Sequence, residues 1–222
     1  MKLCDESSCT GCMACVNACA SGALKVEIDA EGFLRPQLIR ERCIECGNCE
    51  KVCPQIHQLK ESTEKFEKKV YACWHKNKKI KKDSTSGGAF STLAENILEE
   101  GGIVYGAGFD SEFKVIHKSI ADKERLEQLR GSKYVQSEIG DSYRQVKKYL
   151  KTGKKVLFSG TPCQIAGLYS YLGDRFSGQL YTVDLVCHGV PSPMAYQDYL
   201  NYMNKRYQSP VKKISFRDKK RG

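Results

Sequence analysis

Eight cysteines near the amino terminus are written in one grammar used twice. Cys9, Cys12, Cys15 and Cys19 follow C-x2-C-x2-C-x3-C, and Cys43, Cys46, Cys49 and Cys53 repeat it with every sulfur displaced by 34 residues. Two-residue spacers let a tight loop present three thiolates to one inorganic cube, while the fourth cysteine of each run reaches the other cube. The pattern predicts two 4Fe-4S clusters with crossed ligands: Cys9, Cys12, Cys15 and Cys53 on the first, and Cys43, Cys46, Cys49 and Cys19 on the second. Pro54 follows Cys53 as this signature expects, whereas Ala20 stands in its place after the first run. Structural zinc suits well-separated CxxC pairs, and a disulfide framework belongs to exported chains. Four cysteines packed into one short run, twice, fit neither.

Three later segments read as strand ends passing into a helix or loop, the place where an open α/β sheet holds ligands. Ser84-Thr85-Ser86-Gly87-Gly88 offers hydroxyls and bare amides at a helix start, either for a phosphate or flavin edge or as an ordinary cap. Ser159-Gly160-Thr161-Pro162-Cys163-Gln164 puts Cys163 in the first turn of a helix, where the dipole favours thiolate. Asp184-Leu185-Val186-Cys187-His188-Gly189 again leaves a strand, so neighbouring strands would bring Cys163 and Cys187 to one edge. Their sequence leaves three readings open: buried thiols, shared metal ligands, or a Cys163-His188 nucleophile and base. Cys4 reads as a spare thiol and Cys73 as a core residue of a strand. Gly106-Ala107-Gly108 lacks the third glycine and the helix of a dinucleotide fingerprint.

The elements that must position these residues follow from periodicity. Residues 25–29 and 33–39 alternate around an Ala-Glu-Gly turn and predict a hairpin with Pro36 on an edge strand. Strands are predicted at 70–75, 103–109, 113–120, 155–159 and 181–186, with a strand-like alternation at 211–216. Helices are predicted from Ala89 to the Gly101-Gly102 stop, at 123–129, at 139–151, from Pro162 onward, and at 193–206. Together they predict an α+β cysteine module over 1–57, a solvated linker over 58–69, and an α/β domain over 70–222 with a mostly parallel or mixed sheet.

Composition bounds the function. The chain has 222 residues, 41% hydrophobic and 28% charged, with a formal net charge of +10. Two oxidised clusters would lower that charge to roughly +6. The lysines lie in runs without interleaved aromatic residues, which argues against a nucleic-acid reader and for solvated faces or an acidic partner. No apolar run approaches a membrane span, and MKLCDESSC is no signal segment; many free thiols then point to a reducing cytoplasm.

Ser84-Thr-Ser-Gly-Gly-Ala-Phe90, Leu129-Arg-Gly-Ser-Lys-Tyr134, Gly160-Thr-Pro-Cys-Gln164 and Cys187-His-Gly-Val-Pro191, in that order, resemble the beta subunits of coenzyme F420 hydrogenases and dehydrogenases. Many members begin with a two-cluster ferredoxin module. The resemblance implies an iron-sulfur flavoprotein oxidoreductase in which FAD exchanges electrons with the clusters and hydride with a soluble carrier, a deazaflavin in the family's named members. By match to the family motifs, Ser86, Gly87, Gly88, Ser132, Lys133 and Tyr134 would line the FAD site, and Cys163 and Cys187 would ligate a further cluster. The family completes that cluster with a downstream CxxC pair that this sequence lacks. The chain, which stops at Lys219-Lys220-Arg221-Gly222 just after the strand-like 211–216, therefore reads as a fragment lacking its carboxyl region, with the third cluster expected only in a longer protein. Two rivals remain: a ferredoxin-type docking protein handing electrons to a partner enzyme without catalysis of its own, and a Cys163-dependent hydrolase or transferase.

Overall fold

A computed structural model describes residues 3–57, 68–173, 176 and 178–219. The cysteine module comes first: α1 (Ala14–Ala18), β1 (Leu24–Ile28), β2 (Leu34–Leu38) and α2 (Asn48–Lys51). The two strands form an antiparallel hairpin with Val26 opposite Pro36. The second part runs α3 (Lys78–Asp83), α4 (Ala89–Glu99), β3 (Ile103–Phe109), β4 (Val115–Ile120), α5 (Ser142–Lys151), β5 (Val156–Gly160), α6 (Pro162–Leu172), β6 (Leu180–Asp184) and α7 (Pro193–Tyr207).

The sheet order is β4-β3-β5-β6. β3 and β4 form an antiparallel pair, while β3-β5 and β5-β6 are parallel. The sheet is therefore mixed, and the chain is a small ferredoxin-like module followed by an α/β domain. β5 is central and buried at every position, in keeping with its apolar Val156-Leu157-Phe158 start.

Alternate side chains of the central strands serve two different cores, as the pleat requires. Ile103, Tyr105, Val156 and Phe158 pack under α5 and α6, whereas Val104 and Leu157 pack against α4 and the 3-10 turn Lys123–Gln128. The first core does not stop at the module: Cys12, Met13 and Ala14 belong to it. Burial of that loop is thus shared between the two parts of the chain.

Two expected strands are absent. Residues 70–75 form no ladder, and Val70, Tyr71 and Trp74 are exposed. The backbone there bonds elsewhere, His75 N to the Gly87 carbonyl at 2.8 Å. Cys73, read as a core residue, is exposed. Residues 211–216 also lack a strand partner, yet Val211, Ile214 and Phe216 do pack onto the cluster around Tyr196 and Leu200. Inward-facing side chains were legible there; a neighbouring edge to bond was not. The expected linker at 58–69 lies largely outside the described residues.

Candidate metal centres and the adjoining loops

The repeated cysteine grammar carries a repeated backbone. Gly11 and Met13 in the first run, and Glu45 and Gly47 in the second, all have positive φ, at 67°, 62°, 52° and 71°. They occupy equivalent places, two and four residues after the first cysteine of each run. Left-handed residues at this spacing curl the chain so that amides face inward, the concave form that Fe-S sites use. Met13 and Glu45 adopt a conformation unfavourable for residues with a Cβ, a cost of about 1 kcal/mol or more each that a purpose must offset.

The loops group the sulfurs by place. A cavity of ≈210 Å³ is lined by Cys9, Cys12, Cys15 and Cys53, with Cys4 and Cys49 also on its wall. A second, much narrower cavity of ≈10 Å³ is lined by Cys19, Cys43, Cys46 and Cys49. The surface loop on its wall holds Ile44, which is 68% exposed. Each cavity thus mixes cysteines from both runs. Among the described residues no three His, Cys, Asp or Glu side chains are placed to hold a single metal ion. A cube gives each thiolate its own corner iron, so its sulfurs stand farther apart than ligands sharing one ion.

Backbone amides converge on these sulfurs. Ala14 donates to Cys12, Val16 to Cys15, Glu50 to Cys49, and Glu45 to Cys43 at 3.4 Å. Cys19 receives the amides of Gly22, Ala23 and Leu24 and meets the Ser21 hydroxyl at 3.6 Å. Burial pushes the Cys19 thiol up, but these hydrogen bonds outweigh it and hold it below its ordinary value. Burial dominates at Cys12, pushed up to about 11, and at Cys15, which is raised further by Cys12 and Cys9. Iron entering such a cavity must displace protons from the thiols it binds. Both the sulfur count and the amide donors fit a cluster.

α5 and α6 clamp the first loop to the rest of the protein. Tyr143, fully buried, shares its hydroxyl proton between the carbonyls of Cys12 (2.9 Å) and Gln164 (2.8 Å). Arg144 donates to the carbonyls of Val16, Asn17 and Cys19 at 2.7–2.9 Å. Asn17 in turn donates to Met13 and Gly140. Gln136 pairs with both backbone groups of Leu34. A Cβ on Gly167 would stand 3.0 Å from the Cys12 sulfur, so the helix approaches this loop as closely as a glycine permits.

Cys163 sits in the first turn of α6, after a capping box of Thr161 and Gln164. It packs against the core that contains Cys12, and Thr161 Oγ1 lies 3.2 Å from its sulfur. Cys187 is exposed on the loop after β6, with the Gly189 amide on its sulfur at 3.4 Å. Both follow the carboxyl ends of adjacent parallel strands, and Leu185 N reaches the Gly160 carbonyl.

The other expected loops also meet. Thr85 Oγ1 accepts from the amide and hydroxyl of Ser132, at 2.9 and 3.2 Å, and so joins 84–88 to 131–134. Gly87 has a local reason for its identity: a Cβ there would come within 2.5 Å of the Cys73 carbonyl. Gly88, φ +91°, begins α4 without a side-chain cap. The Ser86 carbonyl accepts from Lys219. Lys133 turns inward to the Arg130 and Gln128 carbonyls and over the Phe109 ring; burial, then Lys118, lowers it to about 8. Tyr134 is half exposed and edge-on to Phe216.

Sequence reading missed His117. It is buried and stacked on Phe158, with Nε2 on the Ser159 carbonyl (3.0 Å) and Nδ1 on Ser137 Oγ (2.9 Å). Ser137 accepts from Gln164, whose own oxygen accepts from Thr161 N. Only its place in β4, two residues after the apolar Val115, hinted at an inward ring.

Family models match both parts of this architecture. Residues 8–56 match the 4Fe-4S dicluster domain. A 59-residue stretch is 42% identical to the polyferredoxin protein MvhB of Methanothermobacter marburgensis, covering 24% of this chain and 14% of that protein. A chain of the F420-reducing NiFe hydrogenase complex from Methanosarcina barkeri is 24% identical, over 58% of this chain and 47% of that one, with a TM-score of 0.47. This chain thus spans under half the length of either relative. No described helix is long and apolar enough to cross a membrane. Residues 70–142 match the amino-terminal part, and 153–222 the carboxyl-terminal part, of the coenzyme F420 hydrogenase/dehydrogenase beta subunit, and the chain belongs to that family.

Proposed function

We propose that this protein is a cytoplasmic electron-transfer oxidoreductase that holds two 4Fe-4S clusters in the module 1–57 and an FAD on its α/β domain, 70–222. One observation carries the reading: each cavity is lined by cysteines of both runs, and the left-handed turns recur at equivalent places in each. Cys9, Cys12, Cys15 and Cys53 hold the first cluster, and Cys43, Cys46, Cys49 and Cys19 the second. Amides bonded to the sulfurs stabilise added negative charge and set the potential within the wide range open to such clusters.

The flavin would lie on the joined loops, against Ser86, Gly87 and Gly88 and against Ser132, Lys133 and Tyr134. When bound it supplies a centre able to pass either one or two electrons, which links single-electron clusters to a hydride carrier. The protein's part is placement. Thr85 and Ser132 fix the two loops to each other, the start of α4 favours an anionic group, and the lysines nearby stabilise a reduced, charged ring. Cys163, beside Cys12, extends the sulfur-rich path from the first cluster toward the sheet edge, where it and Cys187 would serve a further cluster given additional ligands. The coenzyme F420 and the NiFe hydrogenase complex named for the relatives are the candidates for the hydride carrier and the redox partner.

Anaerobic reconstitution with iron, sulfide and FAD tests this. The account expects bound flavin in stoichiometric amount, bleached when the clusters are reduced. A specific observation favours a second reading, electron transfer by docking alone: Lys219 occupies the Ser86 carbonyl and Gly87 packs on the chain's own backbone. That reading expects reducible clusters without bound flavin.

A further inference from the structure

Six cysteines line the first cavity, and with Cys49 given to the second cluster five remain for four corner irons. Cys4 lines it together with Cys9, Cys12, Cys15 and Cys53. Its thiol hydrogen-bonds with two of these, Cys53 and Cys9. The position is built rather than trailing: the 3-10 turn Glu6–Ser8 follows it, and the amides of Ser8 and Cys9 both reach the Asp5 carbonyl at 3.0 Å. That turn joins Cys4 to Cys9, and both line the cavity. A cube has only four corner irons, so one sulfur in this group is surplus. A cysteine retained only to fill space would pack among apolar side chains; both partners of this one are prospective ligands.

We propose that Cys4 is a reserve ligand of the first cluster, able to take the corner iron otherwise held by Cys53. The inference rests on the two-cluster reading. In the exchange, the iron bond to the Cys53 sulfur breaks and one to the Cys4 sulfur forms. The proton leaving Cys4 passes to Cys53, which its thiol already contacts. No electron is gained or lost, and no co-reactant is needed. Cys53 is the ligand that crosses from the second run, so the exchange keeps the first cluster assembled when that crossing is broken.

The experiment uses the full chain reconstituted anaerobically, with iron counted per chain. Cys53→Ala is expected to retain about eight irons, and Cys53→Ala with Cys4→Ala about half of that. A fall to half in Cys53→Ala alone overturns the proposal. Cys4→Ala alone, with every crossed ligand intact, gives a reading that does not depend on the folding of the other variants. It is expected to lose its first cluster to an iron chelator severalfold faster than the unchanged protein, and equal rates overturn the proposal. An iron-free unchanged protein would instead sink the cluster reading itself, and this inference with it.

Discussion

The His117 imidazole has its protons assigned by its neighbours. A carbonyl can only accept, so Nε2 carries the hydrogen toward Ser159, and Nδ1 accepts from Ser137. The chain of donors then continues through Gln164 to the cap of α6, two residues from Cys163. Burial, set against the Ser159 hydrogen bond and joined by Lys133, lowers this histidine from 6.5 to about 4. Below pH 6.5 the unfolded chain takes up a proton that the folded one refuses. Stability should therefore be indifferent to this group above pH 6.5 and fall as pH drops toward 4, by on the order of 3 kcal/mol in all. The measurement is the melting temperature of the protein and of His117→Gln against pH. Their difference should shrink or reverse as pH falls toward 4; a difference independent of pH would contradict this assignment.

At the scale of elements, α1 is too short to stand alone. Five residues make barely more than one turn, below the length at which a helix holds itself in water. Its last carbonyls are held instead by Arg144, from α5. That guanidinium also places a positive charge beside Cys19, a proposed ligand of the second cluster. Arg144→Met should lower the reduction potential of that cluster, because a nearby positive charge favours the added electron. A spin-resonance redox titration reads this directly, and an unchanged or raised potential would contradict the assignment. None of this was legible in the sequence, where Arg144 is one basic residue among several on an amphipathic helix. Long periodic elements were legible: 103–109 forms β3 over the same residues, and Pro162 opens α6. The short turns inside the cysteine runs were not, since Met13 and Glu45 are no left-handed signal by residue type. Residues 70–75 misled because alternation reveals facing side chains and says nothing of whether a partner edge exists.

Across the whole molecule, the first cysteine loop is continuous with the core of the α/β domain, while the Cys43–Cys46 loop lies at the surface. The proposed clusters therefore differ in setting, one against α5 and α6 and one toward solvent and a partner. The repeat was legible as chemistry because eight spaced thiols admit few uses. The clamp by Tyr143, Arg144 and Gln136 was not, because each contact joins residues 100 or more positions apart. Gly167 marks how tight this clamp is. Gly167→Val should press on Cys12 and Tyr143, cost about 1–3 kcal/mol of stability, and weaken retention of the first cluster more than the second. Thermal unfolding with iron counting checks it, and an unchanged melting temperature and iron content would show the helix and loop to be farther apart. The most direct test of the central claim is an anaerobic iron and sulfide determination with Mössbauer and spin-resonance spectra of the intact protein. The account predicts about eight irons and eight sulfides per chain, with two 4Fe-4S centres that couple magnetically on reduction. A folded protein that is colourless and iron-free, or that carries zinc in these loops, would contradict it.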